Sequence, residues 1–363
     1  MVARRRFLKL LATLSFSRVV PARATDRKFS FDSYPFTLGV ASGYPTPDGF
    51  VLWTRLAPKP LEPGGGLAPE PVPMRWEVAE DRGFSKIVAS RAEFPGPEWA
   101  HSVHAEVRGL EPDRWYWYRF LAGDAVSPVG RTRTAPAAGA AAARLRFAFA
   151  SCQHFEHGYF NAYQHMVADD LDLVVFLGDY IYESSLRRNQ VRMHERTDEP
   201  VTLDEYRARY AQYKSDKDLQ SAHLAFPWIV IWDDHEVDND YANDRQEDGT
   251  PPEEFLLRRA AAYQAYYEHL PLPAGMRPSG PAMQIYTDLQ WGTLASFYLL
   301  TAASTARRRP ARGKQAAETR SIRGNAPICA TPRAPCSAPC RRRGLTAGSL
   351  LPARHGTSSP NRC

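Results

Sequence analysis

The chain has 363 residues, 46 Lys+Arg against 40 Asp+Glu, a formal net charge of +6 and 44% hydrophobic content. That apolar fraction excludes global disorder, and the length suits about two domains of roughly 100–200 residues each. The charge is segregated, with −12 on residues 25–300, six bases and no acid in residues 1–24, and twelve Arg and one Lys against Glu318 alone in residues 301–363; an acidic body argues against a general nucleic-acid binder, which needs a basic face on its folded part.

Residues 1–24 begin with Arg4, Arg5 and Arg6, continue through Phe7, Leu8 and Lys9 into a short apolar stretch, and close on Ala22-Arg23-Ala24. The small-x-small ending is an export cleavage pattern, with Thr25 the expected mature start. The Arg-Arg-x-Phe-Leu-Lys order resembles a twin-arginine signal. It predicts the twin-arginine translocase as a transient partner and a periplasmic or secreted location. No apolar run reaches the ~18 residues of a membrane span, so no stable membrane anchor is expected.

Residues 29–136 read as all-β. Short strand-like runs at 50–55, 74–78, 103–107 and 116–120 are separated by Gly, Pro and Asp turns such as Thr46-Pro47-Asp48-Gly49. The segment Gly109 to Tyr116 resembles the strand-entry corner of fibronectin type III-like sandwiches. The aromatic stripe of residues 116–120 reads as core. An Ala/Pro/Gly linker follows, and the pattern then becomes α/β over residues 144–300. Strands are expected at 145–152, 171–177, 226–232 and 294–300, and helices at 157–170, 203–213 and 256–269. The run 171–177 is nearly continuous in apolar residues, as a strand covered on both faces requires. Three strands thus finish in polar residues, at Cys152, Asp179 and Asp234. Open α/β sheets bind ligands at their carboxyl ends.

After Leu300 the aromatics, periodicity and acids vanish, leaving a low-complexity tail at 301–363 that is expected to be disordered. Its Cys336-x3-Cys340 pair lacks a matching pair at zinc spacing. Residues 301–306 are encodable as ACG-GCC-GCC-AGT-ACC-GC, and one base out of phase the same string reads Asp-Gly-Arg-Gln-Tyr-Arg, which suits the end of a strand. The tail is therefore expected to be an out-of-frame product of a one-base shift near Leu300.

The chemistry lies in the strand ends. Asp179, just after a buried strand, can bridge two cations through its two oxygens. Tyr182, three residues on, can turn back to the same centre, where Fe3+ would acidify its phenol. Residues 233–240 hold five carboxylates in eight positions, which repel one another unless cations neutralise them; oxygen ligands suit Ca2+, Mg2+ or Fe3+. His235 can be a metal ligand or the acid that protonates a leaving oxygen. Cys152 is the one Cys of residues 25–300, and its place at a strand end beside Gln153 and His154 suits a thiolate ligand.

Taken in order, Ala150-Ser151-Cys152-Gln153, Gly158 to Tyr163, Asp170 to Leu173, Leu177-Gly178-Asp179-Tyr180-Ile181-Tyr182-Glu183 and Trp232 to Asn239 resemble the PhoD-like metallophosphoesterases, the alkaline phosphatase D family. Residues 36–43 and 51–55 resemble that family's N-terminal β-domain. The Gly-Asp-x-x-Tyr pattern is also that of purple acid phosphatases. The resemblance implies an Fe3+ and Ca2+ centre hydrolysing phosphate monoesters or diesters. It implies that Cys152 and Tyr182 bind iron, that Asp179 bridges the metals, that Asn239 or Asp234 serves calcium, and that His235 is the catalytic histidine. It also implies further His and Asp ligands from later strands, which residues after Leu300 do not supply, so the metallophosphoesterase domain is expected to be incomplete and this polypeptide weakly active or inactive. The alternative expectation is a non-catalytic exported binding protein with a degenerate second domain.

Overall fold

The computed structural model describes residues 29–186, 188–246 and 248–301. The expected export signal and the tail beyond residue 301 lie outside them. The strands are β1 (Val40–Thr46), β2 (Gly49–Arg55), β3 (Met74–Ala79), β4 (Ile87–Glu93), β5 (Ser102–Val107), β6 (Trp115–Ala122), β7 (Ala125–Val126), β8 (Gly130–Arg133), β9 (Phe147–Ala150), β10 (Leu173–Leu177), β11 (Pro227–Ile231), β12 (Thr287–Trp291) and β13 (Ala295–Leu299). The helices are α1 (Ala162–Ala168), α2 (Leu203–Lys214), α3 (Lys217–Ala225) and α4 (Pro252–His269).

Alternation drives the N-terminal part. In β6, Tyr116, Tyr118, Phe120 and Ala122 are buried while the intervening residues are half-exposed, the period-2 pattern of a one-sided sheet. This strand organises an antiparallel sheet in the order β4-β3-β6-β7, with β8 also pairing β6. Its inner residues join Phe50 and Leu52 of β2 and Val103, Ala105 and Val107 of β5 in one core. The aromatic stripe is therefore packing, at roughly 1.5–3 kcal/mol per fully buried side chain. Strand β4 is mostly exposed along its length, so no hydrophobic pattern marks it in the sequence.

Strands β9, β10 and β11 are parallel, in the order β11-β10-β9, while β12 and β13 form a separate antiparallel pair. The parallel strands are not separate from the β-rich part. β1 pairs in parallel with β11 at Ser42↔Pro227 and Gly43↔Trp228, so one six-stranded mixed sheet, β5-β2-β1-β11-β10-β9, runs through both segments. Gly43 permits this approach, because a Cβ there would lie 2.5 Å from the Trp228 carbonyl oxygen. The expected helix at 157–170 shortens to α1, since Phe155–His157 form a separate 3-10 turn and Gly158 breaks the run. Helix α2 begins on a reciprocal cap between Thr202 and Glu205. Helix α3 was not expected; Asp216 starts it by accepting from the amides of Asp218 and Leu219. No described helix is long and apolar enough to cross a membrane.

Candidate metal centre

The parallel register levels the strand ends. Phe176 pairs with Ala150 and Leu177 with Ile231, so Cys152, Asp179 and Asp234 leave the sheet together. The crossing chain is held by Cys152 N–H to the Gly178 carbonyl and Gln153 N–H to the Asp179 carbonyl, each 3.2 Å. Cys152 (φ +56°) and Asp179 (φ +58°) both sit in the left-handed region, a strain of order 1–3 kcal/mol each that a packed surrounding must hold. Gly178, at φ +100°, lies where a Cβ would be 2.6 Å from the Asp233 amide nitrogen.

Two donors meet on one carboxylate oxygen. Asp179 Oδ2 accepts from Tyr182 Oη at 3.0 Å and from Cys152 Sγ at 3.2 Å. Asp179 Oδ1 is buried and has no hydrogen-bond partner, a costly state for a carboxylate oxygen and an open valence for a cation. Asp179, Asp234 and His235 offer ligand atoms within 4.8 Å of one another. This donor set, with its orphaned oxygen, fits a hard cation. Burial raises the Cys152 thiol, and the Asp179 carboxylate raises it further. Burial followed by the charges of Asp179 and Cys152 pushes the Tyr182 phenol well up. Both are thus proton-bearing beside the bare carboxylate, and a cation reverses that sign.

His235 Nδ1 lies 2.7 Å from Glu183 Oε2, which leaves Nε2 for a ligand. Its ring is tilted against Tyr182, with centroids 4.1 Å apart. Burial lowers its pKa, but the hydrogen bond and charge of Glu183, with Asp234 and Asp179, raise it to about 9 overall. Behind Tyr182 stands His154, its ring centroid 4.5 Å away. A cavity of about 480 Å³ lined by Tyr44, Phe50, Met276 and Leu289 among others contains none of these groups.

Of the residues singled out from sequence, Cys152, Asp179, Tyr182, Asp234 and His235 come together. Asn239 is exposed, and its side chain makes no hydrogen bond to them among the described residues. The acidic run is less repulsive than its sequence suggests. Glu236 is buried and accepts from the amides of Tyr180 (2.6 Å), Asp233 (2.8 Å) and Asp179 (3.1 Å). Asp238 pairs with Arg258 at 3.0 Å. Asp234 Oδ2 accepts from the Asp240 amide at 2.6 Å. Backbone amides and one arginine therefore serve carboxyls that the sequence reading assigned to cations, and burial pushes Glu236 up to about 8 and Asp238 up to about 7, towards the uncharged form. The supporting roles of Glu183 and Glu236 were missed; the available sequence signal was a carboxylate adjoining each motif residue, Tyr182 and His235.

A family model described as PhoD-like phosphatase matches residues 147–327, and one described as PhoD-like phosphatase, N-terminal domain, matches residues 21–136. The chain belongs to the PhoD-like phosphatase family. It is 54% identical over 292 residues to "Alkaline phosphatase D" of Bacillus subtilis (strain 168), a match covering 79% of this chain and 50% of that protein. It superposes on a solved structure described as "Structure of PhoD" with a TM-score of 0.75 at 55% identity, covering 76% of this chain and 54% of that one. The chain thus spans about half the length of these PhoD relatives. The PhoD-like match runs past Leu300, where the composition changes.

Proposed function

We propose that this chain carries the strand-end metal site of a PhoD-type phosphatase acting on phosphate monoesters or diesters. The observation that carries the reading is the meeting of Cys152 Sγ and Tyr182 Oη on one oxygen of Asp179 whose other oxygen is buried and unpaired. In this reading Cys152 and Tyr182 would hold Fe3+, Asp179 would serve both Fe3+ and Ca2+, and Asp234 or Asn239 would serve Ca2+. When bound, such cations neutralise phosphate charge and make water nucleophilic. Glu183 holds His235 through Nδ1, which would leave Nε2 to serve as proton donor to the ester or as a metal ligand. Glu236 holds the loops after β10 and β11 at a fixed separation. No side chain need act as a covalent nucleophile.

The finer fold and location readings belong here too. The N-terminal part is proposed to be fibronectin type III-like, supported by its antiparallel layers and by the Glu111 amide donating to Tyr116 Oη at 3.1 Å, as at a tyrosine corner. The partition into modules near 29–136 and 144–300 is supported by the bounds of the two family matches. Export through the twin-arginine route is proposed from residues 1–24 alone.

The test is purification with metal analysis, then hydrolysis of p-nitrophenyl phosphate and bis(p-nitrophenyl) phosphate with added Fe3+ and Ca2+. Stoichiometric iron with weak turnover is the expected result. Iron-free protein after reconstitution would sink the reading in favour of a non-catalytic binding protein.

A further inference from the structure

Helix α2 places three polar side chains at positions 206, 209 and 213, the i, i+3, i+7 spacing of a single helix face. Tyr206, Arg209 and Tyr213 are all buried. None of them is a candidate ligand, yet each bonds the backbone of a segment that carries one. Tyr206 Oη donates to the Val237 carbonyl at 2.5 Å, two residues past His235. Arg209 Nη1 donates to the carbonyls of Tyr182 at 2.6 Å and Glu183 at 2.7 Å. Tyr213 Oη accepts from the amide of Tyr182 and from that of Phe155, three residues past Cys152, each at 3.1 Å. One helix face thus reaches all three loops that leave β9, β10 and β11. It holds Tyr182 at both its N–H and its C=O.

The direction of these bonds is determined. The Tyr213 oxygen takes two amide protons, so its own proton is left for His194 Nε2, 3.1 Å away. His194 Nδ1 then carries the ring proton and donates it to Ser185 Oγ at 2.9 Å. Burial keeps that ring neutral, with its pKa lowered to about 3. The Tyr206 oxygen takes a proton from Arg258 Nε at 2.9 Å, which leaves its own for Val237. The same helix supplies a contrast. Tyr210 is equally buried and stacks on His269 at 5.2 Å, yet its hydroxyl has no hydrogen-bond partner among the described residues. A tyrosine can therefore pack on α2 without a bonded hydroxyl, and the two hydroxyls that are bonded are those that reach the ligand loops.

We propose that Tyr206, Arg209 and Tyr213 are positioning residues of the metal centre, which fix the Cys152, Tyr182 and His235 loops against α2. Tyr213 and Arg209 set the Cys152 and Tyr182 segments, and Tyr206 sets the segment of Asp234 and His235. The inference rests on the proposed metal-centre reading and deepens it by assigning the support of its ligands.

The experiment loads the full chain and its Tyr213→Phe, Tyr206→Phe and Tyr210→Phe variants with Fe3+ and then Ca2+. Each variant keeps its ring, so packing is preserved. Chelator competition reads the affinity for each metal, and visible spectroscopy reads the charge-transfer absorption that a phenolate gives on Fe3+. Tyr213→Phe is expected to weaken Fe3+ binding by about tenfold or more and to shift the absorption maximum at saturating iron. Tyr206→Phe is expected to weaken Ca2+ binding by about tenfold and to leave the maximum in place. Tyr210→Phe is expected to change neither. A purely structural role would lower the melting temperatures of Tyr213→Phe and Tyr206→Phe but leave the affinities of the folded chains and the maximum unaltered. That result would overturn the proposal, as would Tyr210→Phe behaving like Tyr213→Phe. Where Tyr213→Phe does not accumulate folded, Arg209→Lys keeps the charge, loses the fork and reads the same residue through its carbonyl. The same shift is expected there, and an unshifted maximum would overturn the proposal. An unsubstituted chain that takes up no Fe3+ would sink the metal-centre reading and this inference with it, whereas Fe3+ held alike by parent and variants would sink this inference alone.

Discussion

Asp179 is poorly served by its surroundings in the absence of a cation. One oxygen takes two donors, the other has none, and its charge raises the pKa values of Glu236, Asp233 and Tyr182, in each case after burial. A residue kept at such a cost is a binding residue before it is a structural one. Asp179→Asn is therefore expected to lower iron content at least tenfold, yet leave the metal-free chain as stable or stabler by on the order of 1 kcal/mol. Metal analysis and melting in chelator check the two halves; a large loss of stability without metal would show that Asp179 is structural.

At the scale of elements, the loops after β10 and β11 are stapled by Glu236. Replacing it with Ala leaves three amides without their acceptor, at about 1–3 kcal/mol for each that stays buried. Glu236→Ala is expected to cost at least about 3 kcal/mol in denaturant unfolding, with Glu236→Gln losing less because its amide oxygen still accepts. Gly178 makes the same point through the backbone. Gly178→Ala combines a left-handed φ of +100° with a Cβ 2.6 Å from Asp233 N, and is expected to cost roughly 3 kcal/mol and to separate Asp179 from Asp234. An Ala variant with unchanged stability and iron content would refute that account of the loop.

Across the whole molecule, the β-rich segment and the α/β segment meet around Lys214. Its ammonium stands 4.1 Å from the Trp53 ring of β2 and 5.8 Å from the Tyr180 ring. Burial lowers it from 10.5 to about 7. Between those values the unfolded chain holds a proton that the folded chain has lost, so stability rises with pH from about 7 to 10.5 and is lowest below 7. The nearby His223 and His269 are held neutral by burial throughout that window. Lys214→Met is expected to remove the rise and to stabilise the chain at pH 6 by on the order of 2 kcal/mol, the lost cation–π contact offsetting part of the gain. Urea unfolding at pH 6, 7.5 and 9 decides it: parallel profiles for the two chains would rule the lysine out as the source.

What the sequence determined by itself is local. The aromatic stripe of β6, the apolar runs of β10 and β11 and the polar residues that end three strands are readable because each is a pattern within a few neighbouring positions. The same proximity made Cys152, Asp179, Tyr182, Asp234 and His235 legible as candidates. Tertiary structure decided what those patterns meet. Pairing of β1 with β11 spans some 185 residues of chain and rests on a missing Cβ at Gly43. Glu183 and Glu236 became supports only when loops far apart in sequence were closed on each other, and the acidic run became tolerable only when amides and Arg258 reached it. The roles of Tyr206, Arg209 and Tyr213 likewise belong to no local pattern. Their spacing puts them on one face of α2, and only the tertiary fold brings Val237, Tyr182 and Phe155 to that face, because the backbone groups a side chain meets are set by non-local packing rather than by the composition of any one helix.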